Sequence, residues 1–353
     1  MSEMTMNQRM LSYREAIAEC LSIEMDRDDS VIVYGLDVPD HKAIFGSVEG
    51  LKEKYGDKRV FGTPLSEDAM TGVALGAALN GLRPVHVHIR VDFLLLGMNQ
   101  LANMIAPWTY LTGGASSVPL VIRAIIGRGW GQGAQHSKSL QSVFAHIPGL
   151  KVIMPSSPYD VKGMLAQAIR DDNPVLCLEH RWLYDVKGHV PEEAYEVPIG
   201  PPRVVRPGDD ISLISTSWMT IEAMMAAELL QTHGISAEVI DVRTIAPLKL
   251  APIIDSVKRT GHAVVIDYDW TWCGFSAELA AQLHAHCFAE LNSPVVRLGF
   301  APSPCPTTRP LENAFYPNAG SIVRAVEQSL DLPPMKLDDV EFYSWTKRFK
   351  GPF

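Results

Sequence analysis

Two residues stand in surroundings suited to chemistry. Glu67 closes the stretch Thr63-Pro64-Leu65-Ser66-Glu67 and sits at the mouth of a helix rich in glycine and alanine. Asp68 is the only other acid nearby, and an apolar helix and strand flank the pair. A carboxyl group held there is expected to be largely dehydrated, which raises its pKa and lets it keep or share a proton. The plainer alternative is a helix-start carboxylate that answers free backbone amides. His136 follows the glycine-rich loop 127–135, itself downstream of an apolar strand. Its glycines let backbone pass close to a ligand or neighbour and deliver His136 to a cleft at the strand's carboxyl end. A structural role, capping a helix that begins near Ser137, is the competing reading.

Other groupings carry less. Gly129-Trp130-Gly131-Gln132-Gly133-Ala134 formally fits a dinucleotide-binding loop, but the acid required about 20 positions on is missing from Lys151–Pro155. His86 and His88 share a strand face, with Asp92 the only acid near enough in sequence to join them at a metal. His284 and His286, two apart on a helix, diverge.

The elements that position these residues alternate. Ser12-Tyr13-Arg14-Glu15 reads as a capping box opening a helix to about Asp26, with Ile17, Leu21 and either Ile23 or Met25 buried. A buried strand at Val31–Tyr34 and a short helix at Leu51–Tyr55 follow. In the Glu67 helix, Gly72 and Gly76 share a face that admits another helix, and Gly81-Leu82-Arg83-Pro84 stops it. The next strand is expected to run from Val85 to Phe93, with His86, His88, Arg90 and Asp92 on one face. A helix over Leu94–Trp108, strands at Val118–Ile126, Lys151–Met154 and Val175–Glu179, and a helix from Ser157-Pro158 to about Asp171 complete a parallel sheet covered on both faces.

Residues 1–186 are thus expected to form one α/β domain, and the proline- and glycine-rich 187–208 a linker. A second, smaller α/β domain is expected over 209–330, with strands near Ile211, Glu238, Ala263 and Val295 and helices near Met219, Leu250, Phe275 and Ala319. The tail 331–353 lacks a clean period and reads as an arm or a loose end.

Composition sets limits. The chain has 353 residues, 47% of them hydrophobic, enough for two domains with real cores. A net charge of −9 argues against a nucleic-acid partner. Five scattered cysteines without a Cys-x-x-Cys pair point to reduced thiols in a cytoplasm-like compartment. The N-terminus lacks the pattern of a signal peptide, and no stretch is long and apolar enough to span a bilayer.

Together these residues resemble the beta subunit of the thiamine-diphosphate-dependent decarboxylating component of 2-oxo acid dehydrogenase complexes, whose members act on pyruvate, branched-chain 2-oxo acids or acetoin. The carriers are Thr63–Glu67, Gly81–Pro84, Ala134-Gln135-His136-Ser137, Pro148–Val152, Ala168–Pro174, Asp241–Ile245 and Pro310-Leu311-Glu312, in order over residues 10–330. The implied fold is two doubly wound α/β domains, a thiamine-diphosphate pyrimidine-type domain followed by a transketolase C-terminal-type domain.

The resemblance further implies that Glu67 hydrogen-bonds the cofactor's aminopyrimidine and shares a proton with it, so that the pyrimidine nitrogen can remove the thiazolium C2 proton. It implies that Leu65 and Phe93 pack on the pyrimidine and that His136 helps pass the acyl group to a lipoyl arm. Leu120, Ala168, Ile169, Asp171 and Asn173 match positions that enclose a potassium ion in some relatives. The Gly-Asp-Gly motif that holds the diphosphate through Mg2+ is missing from the sequence. An alpha subunit is therefore expected to supply that half, in an α2β2 heterotetramer that engages a lipoyl-bearing acyltransferase core.

Departures fall near the substrate. Val87 replaces a usual glutamate, Arg90 a threonine or aromatic, and Asp267–Trp272 a His-Glu or Val-Glu segment. They leave room for an unusual, more polar 2-oxo acid. Alternatives to oxidative decarboxylation are ketol or acyl transfer by a split transketolase-like enzyme and a non-catalytic partner subunit.

Overall fold

A computed structural model of the chain describes residues 9–127 and 131–337. Its strands are β1 Met10–Ser12, β2 Val31–Gly35, β3 Val60–Gly62, β4 Arg83–His88, β5 Val121–Ile126, β6 Lys151–Ile153 and β7 Val175–His180. They continue with β8 Lys187–His189, β9 Arg203–Arg206, β10 Ile211–Ser215, β11 Ala237–Asp241, β12 Thr244–Ala246, β13 Ala263–Trp270 and β14 Val296–Phe300.

One sheet has seven strands in the order β12-β6-β7-β5-β4-β2-β3, all parallel except β12 against β6. The other has five, β14-β13-β10-β11-β9, parallel except for β9. Central strands β2, β5, β7, β10 and β11 are buried throughout, as strands covered by helices on both faces must be.

The first helix, Tyr13–Arg27, begins at the expected capping box, with Ser12 and Glu15 bonding reciprocally. It buries Ile17, Leu21 and Met25, while Ile23 stays at the margin. The helices Leu51–Tyr55, Pro158–Arg170, Phe275–Cys287 and Ala319–Ser329 also form where expected.

Three expectations change. β4 stops at His88 instead of reaching Phe93, because its pairing with β5 ends at His88 opposite Ala124. The chain then bends so that the Arg90 guanidinium donates to Gly127 O (2.7 Å), and Val91–Leu94 turns helical. The expected helix over 94–108 is correspondingly broken, with a wide-turned stretch at Gln100–Ile105 and a separate turn at Trp108–Leu111.

Second, 187–208 is not a bare linker. β8 pairs with β1, Val197 N donates to Gly163 O (3.0 Å), and β9 closes one edge of the second sheet. Third, β12 lies beyond that segment in sequence yet pairs with β6 of the first sheet, and Met154 N donates to Arg243 O (2.7 Å). Of the tail, Leu332, Met335 and Leu337 pack against the core and Met335 N donates to Glu327 (2.7 Å). The remainder, 338–353, lies outside the described residues.

Candidate active site

Glu67 is the first residue of the helix Glu67–Leu79. The helix is held against β2 by Tyr34, whose hydroxyl donates to Met70 O (3.1 Å), and its first turn is tightened by Thr71 Oγ1 donating to Glu67 O (2.7 Å). Ser66 makes no side-chain cap, so the amides of the first turn and the Glu67 carboxylate meet the same space. That carboxylate makes no hydrogen bond to any described residue. Contrary to the expected dehydration, Glu67 is only half-buried within this chain.

The space is a cleft of about 590 Å³. Thr63–Glu67 and Met70 line it at the start of that helix, the largely buried His86–Arg90 form its floor, and Phe93, Leu96, Gln132 and His136 line the rest. Glu67, Leu65, Phe93 and His136 are thus brought together. The ring of His136 meets that of Phe93 edge to face, with centroids 5.3 Å apart. No helix starts at Ser137; the next begins at Gln141, so His136 caps nothing there and instead follows a single turn at Gly133–Gln135. Part of the dinucleotide-like loop, residues 128–130, lies outside the described residues.

Several contacts fix the His136 loop. Gly127 leaves β5 with φ +83°, and its α-carbon faces the His180 ring so closely that a Cβ would lie 2.4 Å from Nε2. Arg90 donates to Gly127 O and to Gln132 Oε1 (2.5 Å). Lys138 donates to Ala134 O (2.7 Å) and to Asp92 Oδ1 (2.9 Å). Beyond the loop, Gln141 Nε2 donates to Asp267 Oδ1 (2.7 Å) and Ser142 Oγ to Asp269 Oδ2 (3.1 Å), both carboxylates lying at the end of β13.

His86 and His88 were legible as a same-face pair, but their setting was not. Their rings touch at 4.3 Å, His86 stacks on Tyr34 at 4.7 Å, and both line the cleft floor. Burial lowers both imidazoles, His86 to about 4, and neither Nε2 has a hydrogen-bond partner among the described residues. Among the described residues no cluster of His, Cys, Asp and Glu could hold a metal ion.

Leu120, Ala168, Ile169, Asp171 and Asn173 gather elsewhere, around the turn between the helix Pro158–Arg170 and β7. Arg83 Nη1 donates to Ile169 O (3.0 Å) and Asp171 O (3.1 Å), and Val175 N donates to Leu120 O (2.9 Å). The Asp171 carboxylate takes Lys151 and the Asn173 amide (2.9 Å); burial opposes its ionisation, yet these bonds hold its pKa below the usual carboxylate value.

Residues 9–187 match the transketolase pyrimidine-binding domain and residues 200–322 the transketolase C-terminal domain. The beta subunit of acetoin:2,6-dichlorophenolindophenol oxidoreductase from Cupriavidus necator is 39% identical, covering 91% of this chain and 98% of its own. The chain belongs to the family of E1 beta subunits of 2-oxo acid dehydrogenases. Other members are the 2-oxoisovalerate dehydrogenase beta subunit of Bacillus subtilis, 38% identical over 90% of this chain and 98% of its own, and the pyruvate dehydrogenase E1 beta subunit of Porphyra purpurea, 39% identical over 89% and 95%. A solved split-gene transketolase, an inactive beta4 tetramer, superposes with TM-score 0.73 at 20% identity, covering 92% of this chain and 99% of its own, and shares the fold.

Proposed function

We propose that this E1-type beta subunit works in the oxidative decarboxylation of a 2-oxo acid, with transfer of the acyl group to a lipoyl arm, and that Glu67 activates thiamine diphosphate. The observation that carries the reading is the Glu67 carboxylate, without a hydrogen-bond partner among the described residues, lining one cleft with Phe93 and His136. Bound there, the cofactor supplies a carbon nucleophile and the electron sink that accepts the pair released with CO2.

The chain's own residues do the rest. The Glu67 carboxyl holds and shares a proton at the pyrimidine, and Leu65 and Phe93 give that ring apolar surface. His136 offers a hydrogen bond or a proton where the acyl group is handed on.

The cleft suits the pyrimidine half of the cofactor. For the Mg2+-diphosphate half, no acidic cluster is found among the described residues, and the rim stays open, with Leu65 75% and Leu96 60% exposed. A second protein that covers this rim would dehydrate Glu67, which this chain alone does not. We therefore assign an alpha subunit to that role in an α2β2 assembly, with a lipoyl-bearing acyltransferase core as the acceptor. Gly72 meets Gln100 of the same chain while Gly76 faces open space, which leaves only the Gly76 end of that helix face open to a neighbour.

The potassium reading of the Leu120–Asn173 turn stands as a secondary proposal. The ion would share two carbonyls with Arg83, and added K+, but not Na+, should raise Tm. Among the described residues no helix is long and apolar enough to cross a membrane. No disulfide joins the five cysteines, which fits a reducing, cytoplasmic setting.

The test is reconstitution with an alpha-type protein carrying Gly-Asp-Gly and a following Asn. Thiamine-dependent CO2 release from 2-oxo acids is expected, and Glu67→Gln should lower it by several orders of magnitude. Near-normal turnover in that variant would make the chain a scaffold. Activity with an aldose acceptor and none with a lipoyl domain would move it to ketol transfer.

A further inference from the structure

We infer that the 2-oxo acid taken by this site carries a second anionic group at its far end, held by Arg90 with the imidazoles of His86 and His88. The inference rests on the thiamine-cleft reading above and names its substrate class: 2-oxo dicarboxylates, in preference to 2-oxo acids with aliphatic side chains.

Arg90 is 2% exposed and lines the cleft. Its hydrogen bonds go to two neutral oxygens, Gly127 O and Gln132 Oε1. It forms no ion pair with any described residue, and Asp92, the carboxylate that acts on it most, is engaged by Lys138. Burial and the nearby Arg181 cation lower its pKa to about 10, so it is still charged at neutral pH. Among the described residues this buried guanidinium hydrogen-bonds only to dipoles, which is costly, and an anion entering the cleft relieves that cost.

The two histidines extend the same surface. His86 and His88 are 2% and 5% exposed, and their Nε2 atoms lack a partner among the described residues although both histidines sit at the cleft floor. The Tyr34 backbone lies near His86 without reaching hydrogen-bonding geometry. Held neutral by burial, each imidazole offers one N–H and one acceptor without adding charge. An aliphatic side chain would leave these groups unpaired in a closed site, while a carboxylate would accept from the guanidinium and from the imidazole N–H groups. A site built to hydrogen-bond its substrate rejects an analogue lacking the polar group far more strongly than an apolar pocket rejects a missing methylene.

The experiment compares 2-oxoglutarate with 2-oxopentanoate, which share a carbon chain. The chain is reconstituted with its alpha-type partner, thiamine diphosphate and Mg2+, with 2,6-dichlorophenolindophenol as electron acceptor. The kcat/KM ratio is expected to favour the dicarboxylate tenfold or more. Arg90→Gln should shrink that ratio at least tenfold and Arg90→Lys should restore part of it.

Should the variants fail to fold, the unaltered protein still decides. Glutarate should then inhibit competitively at lower concentration than pentanoate. A preference for 2-oxopentanoate, weaker inhibition by glutarate, or an equal loss on both substrates in Arg90→Gln would overturn the inference, the last by confining Arg90 to the reacting carboxylate or to the His136 loop that it holds. CO2 release confined to monocarboxylates would sink this inference alone. No thiamine-dependent release from any 2-oxo acid would sink the cofactor reading with it.

Discussion

The rings of Phe93 and His136 cross at 75° with centroids 5.3 Å apart, although 42 positions separate the two residues along the chain. Each therefore orients the other. Phe93 is 38% exposed, and its free surface is what a bound pyrimidine would cover. An aromatic contact of this kind contributes about 0.5–1.5 kcal/mol beyond area burial. Phe93→Ala should therefore raise the thiamine diphosphate concentration needed for half-maximal activity by roughly tenfold, and it should loosen His136 as well. Titrating cofactor into the reconstituted assembly checks the first effect. An unchanged requirement would remove Phe93 from the cofactor site.

Gly127 is where the His136 loop is set. A side chain there meets two penalties, a left-handed backbone at φ +83° and a Cβ only 2.4 Å from the His180 ring. Gly127→Ala should cost at least about 1–3 kcal/mol from the backbone alone, with the steric clash in addition. Thermal unfolding measures the loss. Gly131→Ala, with φ +69° but its nearest contact at 3.5 Å, should cost less and serves as the comparison.

Much of this was legible in the sequence because local rules agreed with the fold. The Ser12–Glu15 box, Ser157-Pro158 and the glycine-poor apolar strands all specify their elements without help from distant residues. β9 and β12 were missed, since each is a short edge strand whose pairing alone defines it. The helix Arg309–Phe315 was missed because it is short and Thr308 before it makes no side-chain cap. The end of β4 was misplaced because alternation persists through Asp92, whereas the turn at Arg90 is decided by its long-range bond to Gly127. For the site, residue types pointed to Glu67 and His136 and the family resemblance to Phe93, and the three line one cleft. The polar floor was visible only as an alternation, and its meaning came from what does not bond to it.

Arg123 and Glu179 form a fully buried ion pair across β5 and β7, with Nε to Oε1 at 2.6 Å and Nη2 to Oε2 at 2.8 Å. Ser47 and Tyr184 complete the network at 2.9 and 2.6 Å. Removing one partner strands a charge, so Arg123→Met should destabilise by about 3–5 kcal/mol. Arg123→Met with Glu179→Leu should be milder than Arg123→Met alone, since no bare carboxylate remains. A denaturant-unfolding double-mutant cycle checks this. A double variant that loses the sum of both singles would show that the two residues act independently.

Asp269 makes stability depend on pH. Its carboxyl is pushed up to about 7, chiefly by burial and then by the neighbouring Asp267, and the Ser142 hydroxyl and Trp270 amide offset this only in part. The ordinary value is 3.8. Between these values the folded chain binds a proton that the unfolded chain has released, so the slope of unfolding free energy against pH is negative. The contribution is intact below about pH 4, declines as pH rises toward 7 and is then constant, a loss on the order of a few kcal/mol at about 1.4 kcal/mol per pKa unit. Burial raises Asp241 to about 7 as well, and the lowered His86 acts in the opposite sense below its ordinary 6.5. The absolute profile therefore mixes these groups, and the difference between wild type and Asp269→Asn reports the interacting Asp267–Asp269 pair. That difference should shift in favour of the variant as pH rises from 4 to 7 and stay level above 7. A difference that is flat across the window would show that Asp269 titrates alike in the folded and unfolded chain.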